Sequence, residues 1–172
     1  MKKNTRIRVL TSTISFLILG LLVISSANAA TSVGLGSSSN FAVIAGSTIT
    51  NTGSSVISGD LALSPGASIT GFPPAVLNGT QQIANVASVQ AQNDLVTAYN
   101  NSVGQPSSAT VPTELGGTTK TAGVYDSATG TFGITGTLTL DAQGDLGAVF
   151  IFKTASTLIT AGSSQIVLIN SA

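Results

Sequence analysis

The stretch from Leu35 to Phe72, LGSSSNFAVIAGSTITNTGSSVISGDLALSPGASITGF, alternates short apolar runs with Thr and Ser and breaks them with Gly every few residues. Alternation with a period of two marks strands, and Asn-Thr-Gly-Ser-Ser and Ser-Pro-Gly supply the turns between them. The pattern predicts strands near Phe41 to Ala45, Ser47 to Asn51, Val56 to Leu63 and Ala67 to Gly71. Strands this short cannot each bury enough surface alone. They must stack on copies of themselves, which is the logic of a solenoid.

Copies are visible along the rest of the chain. Ser47-Thr-Ile-Thr returns in Ala67-Ser-Ile-Thr, and Gly133-Ile-Thr returns in Ser156-Thr-Leu-Ile-Thr. Phe41-Ala-Val-Ile matches Val149-Phe-Ile-Phe in type and in its place just upstream of a Thr-bearing strand. Between the two blocks, from about Gln81 to Ser102, Ile83, Val86, Ala87, Gln90, Ala91, Leu95, Ala98 and Tyr99 lie largely at helical spacing. One helix is predicted there, with Thr80 as N-cap, Gly104 as the stop and Pro106 beyond it as a breaker. Its apolar stripe is expected to cover one wall of the solenoid, which then cannot be the working face. Pro106 to Thr119, with two prolines and paired glycines, reads as a connection.

The first residues carry Lys2, Lys3, Arg6 and Arg8, then a mainly apolar run from Val9 to Ile24, then Ala27-Asn28-Ala29. This is the pattern of a secretory signal peptide cleaved after Ala29, and the apolar run is short for a spanning helix of about 20 residues. Residues 30–172 then form one secreted, extracellular domain with enough chain for a real core. Without the leader, the charges are Lys120 and Lys153 against Asp60, Asp94, Glu114, Asp126, Asp141 and Asp145. So weakly basic a surface cannot neutralise phosphates, which excludes nucleic acid as a partner class. Cysteine is absent, so packing and backbone hydrogen bonds must hold the fold outside the cell.

Catalytic chemistry is poorly supplied. Histidine is absent, so a Ser-His-Asp nucleophile has no base, and Cys/His metal sets cannot form. Asp141 and Asp145 with Gly144 read as a turn and not as a calcium loop. Polysaccharide cleavage on a parallel β-helix would need more Arg or Lys than this chain has. A paired-carboxylate glycosidase is formally open, but the reading is of a non-enzyme without cofactor or metal. Gly34-Leu-Gly36 lacks the third glycine and the βαβ unit of a dinucleotide loop. Asn78-Gly-Thr80 and Asn100-Asn-Ser102 match the glycosylation pattern.

In a strand, alternate side chains point to opposite sides. With Ile49 and Ile69 inward, Thr48, Thr50, Ser68 and Thr70 point outward, and inward Ile134 puts Gly133 and Thr135 outside. Stacked strands about 4.8 Å apart, with same-side residues about 6.6 Å apart, generate a flat grid near the oxygen spacings of ice. Threonine's stiff χ1 presents a methyl and a hydroxyl at fixed positions with little ordering entropy left to lose. Solenoid walls can also be Thr-rich for β-propensity alone.

The wording itself is specific. Asn40-Phe-Ala-Val-Ile-Ala-Gly-Ser-Thr-Ile-Thr-Asn-Thr-Gly, Gly59-Asp-Leu-Ala-Leu-Ser-Pro-Gly and Ile69-Thr-Gly-Phe-Pro-Pro resemble the opening of the secreted microbial ice-binding (antifreeze) protein family. The likeness continues, in the family's order, through Leu115-Gly-Gly, Thr121-Ala-Gly-Val-Tyr, Ile134-Thr-Gly-Thr-Leu-Thr-Leu-Asp-Ala-Gln-Gly-Asp and Ala148-Val-Phe-Ile-Phe-Lys. It implies a mainly β fold: a right-handed, triangular, discontinuous β-solenoid with one long helix alongside. It also implies an ice surface or ordered water as the partner, no membrane after leader cleavage, and a monomer. The family's Thr-Ala/Gly-any-Thr/Asn motif fits Thr154-Ala-Ser-Thr157, and Thr160-Ala-Gly-Ser163 fits with Ser in the last place. The resemblance therefore adds Thr157 to the wall; strict alternation leaves the phase of Thr160 open. Family members usually continue through further coils after Gln165-Ile-Val-Leu-Ile, so the chain is expected to be C-terminally incomplete. The rival reading is an extracellular adhesion or polysaccharide-binding module built on the same solenoid.

Overall fold

A computed structural model describes residues 29–172, so the expected leader lies outside the described residues apart from its final alanine. Among the described residues the chain is mainly β with one long α-helix. Its first coil comprises β1 (Phe41–Ala45), β2 (Thr48–Thr50) and β3 (Val56–Ser58), and its second β4 (Asp60–Leu63), β5 (Ser68–Thr70) and β6 (Val76–Asn78). After β7 (Gln81–Ile83) the chain leaves into α1 (Val86–Gly104). It then forms β8 (Ala109–Val111), β9 (Thr119–Thr121), β10 (Gly123–Ser127), β11 (Phe132–Ile134), β12 (Thr137–Asp141), β13 (Phe150–Lys153), β14 (Leu158–Thr160) and β15 (Gln165–Ile169).

Among the described residues every strand pair is parallel. The first stack has walls β1-β4-β7, β2-β5 and β3-β6; the second has β13-β10-β8, β11-β14 and β15-β12-β9. Each strand pairs with the strand one coil away, as the brevity of the runs demanded. Each stack encloses its own core. Ile49, Leu61 and Leu63 fill the first, and Val111, Leu115, Tyr125, Phe132, Ile134 and Leu138 the second. Phe152 closes the second core by stacking on Tyr125 at 5.3 Å and meeting Phe132 edge-on at 5.9 Å.

Four expectations need correction. The run Val56 to Leu63 is two strands, because Gly59 turns the chain at φ +122°, where a Cβ would sit 3.1 Å from the Ala42 methyl. The helix starts at Val86 and not near Gln81, since Gln81–Ile83 pairs as β7 with β4. Asn85, not Thr80, is the N-cap: its side chain accepts from Ser88 N, while Ser88 Oγ accepts from Asn85 N, each at 3.0 Å. Lastly, the connection from Pro106 to Thr119 contains β8, whose Ala-Thr-Val pairs with Tyr125–Ser127.

α1 packs on β1, β4 and β7 through buried Ser88, Ala91 and Ala98, whose small side chains permit close approach. Asp94 on the helix accepts from Ser37 N at 2.7 Å and Ser37 Oγ at 2.6 Å, fastening the 3-10 turn Gly36–Asn40 to it. Those bonds, Ser37 Oγ foremost, hold the Asp94 carboxyl below its ordinary value. At the helix C-terminus, the Gln105 carbonyl accepts from Lys153 Nζ at 2.8 Å, and Lys153 also pairs with Asp126 at 3.4 Å. The helix thus touches both stacks.

Candidate functional site

The wall that follows the helix-side wall in each coil carries the residues singled out from sequence. In the first stack Thr48 pairs with Ser68, Ile49 with Ile69 and Thr50 with Thr70. Ile49 is 8% exposed, whereas Thr48, Thr50, Ser68 and Thr70 are all open to solvent. The Thr50 and Thr70 hydroxyls stand 3.5 Å apart, in direct cross-strand register. Glycines bound this patch because the coils meet backbone to backbone at its corners. A Cβ on Gly66 would lie 1.8 Å from the Ser47 carbonyl oxygen, and one on Gly71 (φ +84°) 1.9 Å from that of Asn51. The Asn51 side chain donates to the carbonyls of Gly53 and Gly71, closing the same corner.

In the second stack the equivalent wall is β11-β14. Phe132 and Ile134 are buried, so Gly133 lies outward, and exposed Thr135 follows in the same phase. Thr157 is exposed, and its hydroxyl stands 3.5 Å from that of Thr131, a residue the sequence reading did not single out. The register settles Thr160: it lies opposite buried Ile134 and shares its inward phase, which places Ile159 opposite Gly133 on the outward side. Alternation counted back from β11 points to Thr131, but the outward Ile159 could only be found from the strand pairing.

Glu114 is the other residue missed. It forms an isolated parallel bridge to Gly133, tying this wall to the β8–β9 segment. Its Oε1 accepts from Gly116 N at 2.6 Å and Thr135 N at 2.8 Å, and its Oε2 accepts from Thr135 Oγ1 at 3.0 Å. The carboxylate does the work of strand carbonyls where the strand itself is absent. The backbone donors of Thr135, then Gly116, hold its carboxyl below the ordinary glutamate value of 4.5.

A depressed folded value means that this contribution to stability is complete above pH 4.5 and is lost as pH falls through the folded value. The melting temperature of Glu114→Gln is therefore expected to lie below wild type at pH 7. The gap should narrow as acidification carries the pH down through the lowered folded value, and close once the Glu114 carboxyl is protonated in both the folded and unfolded states. Melting followed by circular dichroism across that range checks it, and a gap that widens in acid would contradict the assignment.

The third wall is more mixed. Val56, Ser58, Val76 and Asn78 face out in the first stack, and Thr119, Thr121, Thr139, Asp141, Gln165 and Val167 in the second. Lys120 and Lys153 lie on β9 and β13, away from the β2-β5 and β11-β14 walls. Asp141 and Asp145 shape a turn: each accepts from the backbone N–H two residues on, at Gln143 and Gly147, both at 2.8 Å. Among the described residues there is no grouping of three acidic, His or Cys side chains that could hold a metal ion. No described helix is long and apolar enough to cross a membrane.

Residues 43–172 match the family described as ice-binding-like. The chain is 46% identical over 159 residues to an ice-binding protein of Nostoc sp. (strain HG1), covering 90% of this chain and 59% of that one. It therefore spans about three fifths of that relative's length. A crystal structure of an ice-binding protein from an Antarctic biological consortium superposes with a TM-score of 0.80 at 46% identity, covering 84% of this chain and 66% of that chain. The ice-binding protein of the Antarctic ascomycete Antarctomyces psychrotrophicus gives a TM-score of 0.78 at 39% identity, covering 83% of this chain and 70% of its own.

Proposed function

The chain belongs to the ice-binding-like family, and from that premise we propose that it is a secreted protein that adsorbs to ice through its β2-β5 and β11-β14 walls. The contact residues in this reading are Thr48, Thr50, Ser68, Thr70, Thr135 and Thr157. The observation that carries it is the in-register pairing of Thr48 with Ser68 and Thr50 with Thr70, all four open to solvent. Rows about 4.8 Å apart with side chains about 6.6 Å apart along each row can hold a layer of water near its positions in the crystal. The stiff χ1 of threonine means that little side-chain entropy is lost when that layer joins the lattice.

Coil order supports treating the two patches as one face of a right-handed, triangular solenoid, because each comes second after the helix-side wall. The third wall is the poorer candidate, since Val56, Val76 and Asp141 break its row of hydroxyls. Glu114 stands beside the proposed face, and three hydrogen bonds to its oxygens restrain it from ordering water of its own. Adsorbed molecules would pin the advancing crystal surface between them and so slow growth or recrystallisation. In this reading the protein makes and breaks no covalent bond and needs no cofactor.

Ice-affinity partitioning tests the reading. The folded chain is expected to be enriched in a slowly grown ice fraction relative to a non-binding protein of similar size. Exclusion from the ice to the same degree as that protein would remove ice as the ligand and leave the adhesion reading.

A further inference from the structure

The backbone on either side of Glu114 is anchored to β11. Gly133 N donates to the Thr113 carbonyl at 2.7 Å and Leu115 N to the Gly133 carbonyl at 2.8 Å, while the Leu115 side chain, 2% exposed, sits in the core. The Glu114 side chain therefore leaves a fixed stem. Two glycines leave the room that its carboxylate occupies: a Cβ on Gly116 would lie 2.7 Å from Oε1, and one on Gly133 3.4 Å from Oε2. Thr135 Oγ1 donates to Oε2 at 3.0 Å. An ionised carboxylate only accepts, so the direction of that bond is fixed and the single hydroxyl hydrogen of Thr135 is committed to it. What Thr135 turns to solvent is its lone pairs. Thr50 and Thr70, by contrast, meet at 3.5 Å, too long a separation to hold a hydroxyl hydrogen in place.

We propose that Glu114 is the positioning residue of the β11-β14 patch: by taking the Thr135 hydroxyl hydrogen, it makes Thr135 a hydrogen-bond acceptor of fixed direction towards the first water layer of ice. The assignment rests on the ice-adsorbing reading of that wall. Each water of an ice lattice donates twice and accepts twice, so a surface site of fixed polarity settles which way its neighbouring water points. A hydroxyl that is already oriented also has less rotational freedom to lose when that water joins the lattice. Glu114→Gln reverses the polarity. Its amide oxygen stays with the backbone N–H groups of Gly116 and Thr135, its amide N–H faces Thr135 Oγ1, and the hydroxyl must then accept and turn its hydrogen outward. A proton on the Glu114 carboxyl has the same effect. The groups that act on this carboxyl are the backbone N–H of Thr135, Gly116 and Leu115 and the Thr135 hydroxyl, all of them neutral.

Ice-affinity partitioning at pH 7 of wild type, Glu114→Gln, Thr135→Val and the double variant is the test, each with a folded circular dichroism spectrum at the working temperature. Glu114→Gln is expected to lower uptake about fivefold, roughly what one hydrogen bond contributes. In the Thr135→Val background, where the β2-β5 patch still supports uptake, it should cause no further loss, because its effect runs through that hydroxyl. A merely structural role would lower uptake equally in both backgrounds. Should Glu114→Gln not fold, wild type is followed as pH falls below 4.5 through the Glu114 titration. Its uptake should decline there, and that of Thr135→Val should not follow. A loss that is undiminished in the Thr135→Val background overturns the proposal. Wild-type uptake that Glu114→Gln leaves unchanged overturns the positioning role alone, whereas exclusion of wild type from ice overturns the reading on which it rests.

Discussion

Thr50→Tyr is expected to lower ice-affinity uptake about tenfold or more while leaving the melting temperature close to wild type. Thr50 is exposed, flanked by Thr48 along its strand and by Thr70 across it. A tyrosine ring there stands several ångströms proud of the methyls and hydroxyls around it. It would hold the neighbouring rows off the crystal, and dispersion contacts fade within an ångström or so of extra separation. A loss of only about 1.4 kcal/mol is already a tenfold change. Folding should scarcely respond, since the side chain points away from the core formed by Ile49 and Ile69. Thr121→Tyr, on the third wall and also exposed, is the control expected to retain uptake. Equal uptake by wild type and Thr50→Tyr would remove the β2-β5 wall as the contact, and loss in Thr121→Tyr alone would transfer the role to the third wall.

Phe132→Ala carries the largest expected effect on stability, a loss of about 3–5 kcal/mol, the usual range for removing a buried aromatic side chain. Phe132 is 1% exposed in the centre of the second core, edge-on to Phe152. Short parallel strands leave little backbone freedom to collapse around the vacated volume, because each rung is fixed by the rung beside it. Since Gly133 and Thr135 are held in place by the same strand, the second patch of the proposed face should loosen with the core. Denaturant melts monitored by circular dichroism check the figure; a loss below about 1 kcal/mol would mean that the cavity refills, with Phe152 the nearest candidate.

How far the site was legible depends on which residues the pleat controls. Ile49 flanked by Thr48 and Thr50, and Ile69 flanked by Ser68 and Thr70, gave their phase directly, because alternation is a local property of an extended backbone. The phase of Thr160 was left open because a bulge between Thr157 and Thr160 would reverse the alternation, and only pairing with Ile134 fixes it. Glu114 went unseen for a related reason. It is an isolated acid in a proline-containing loop, and its partner Thr135 lies 21 residues further on. The helix boundary slipped because Gln81–Ile83 satisfies a helical spacing as well as a strand's, and the neighbouring β4 decided in favour of the strand.

By itself, the sequence determined the short parallel strands, the single helix, the outward phase of the early threonines and the absence of histidine and cysteine chemistry. Each of these follows from the spacing of side chains along the chain or from which side chains it contains. The tertiary structure alone decided that the strands divide into two stacks with separate cores and that Glu114 clips Thr135. Those facts rest on contacts between residues twenty or more positions apart, whose register is set by backbone hydrogen bonds between coils and is not written in any one segment.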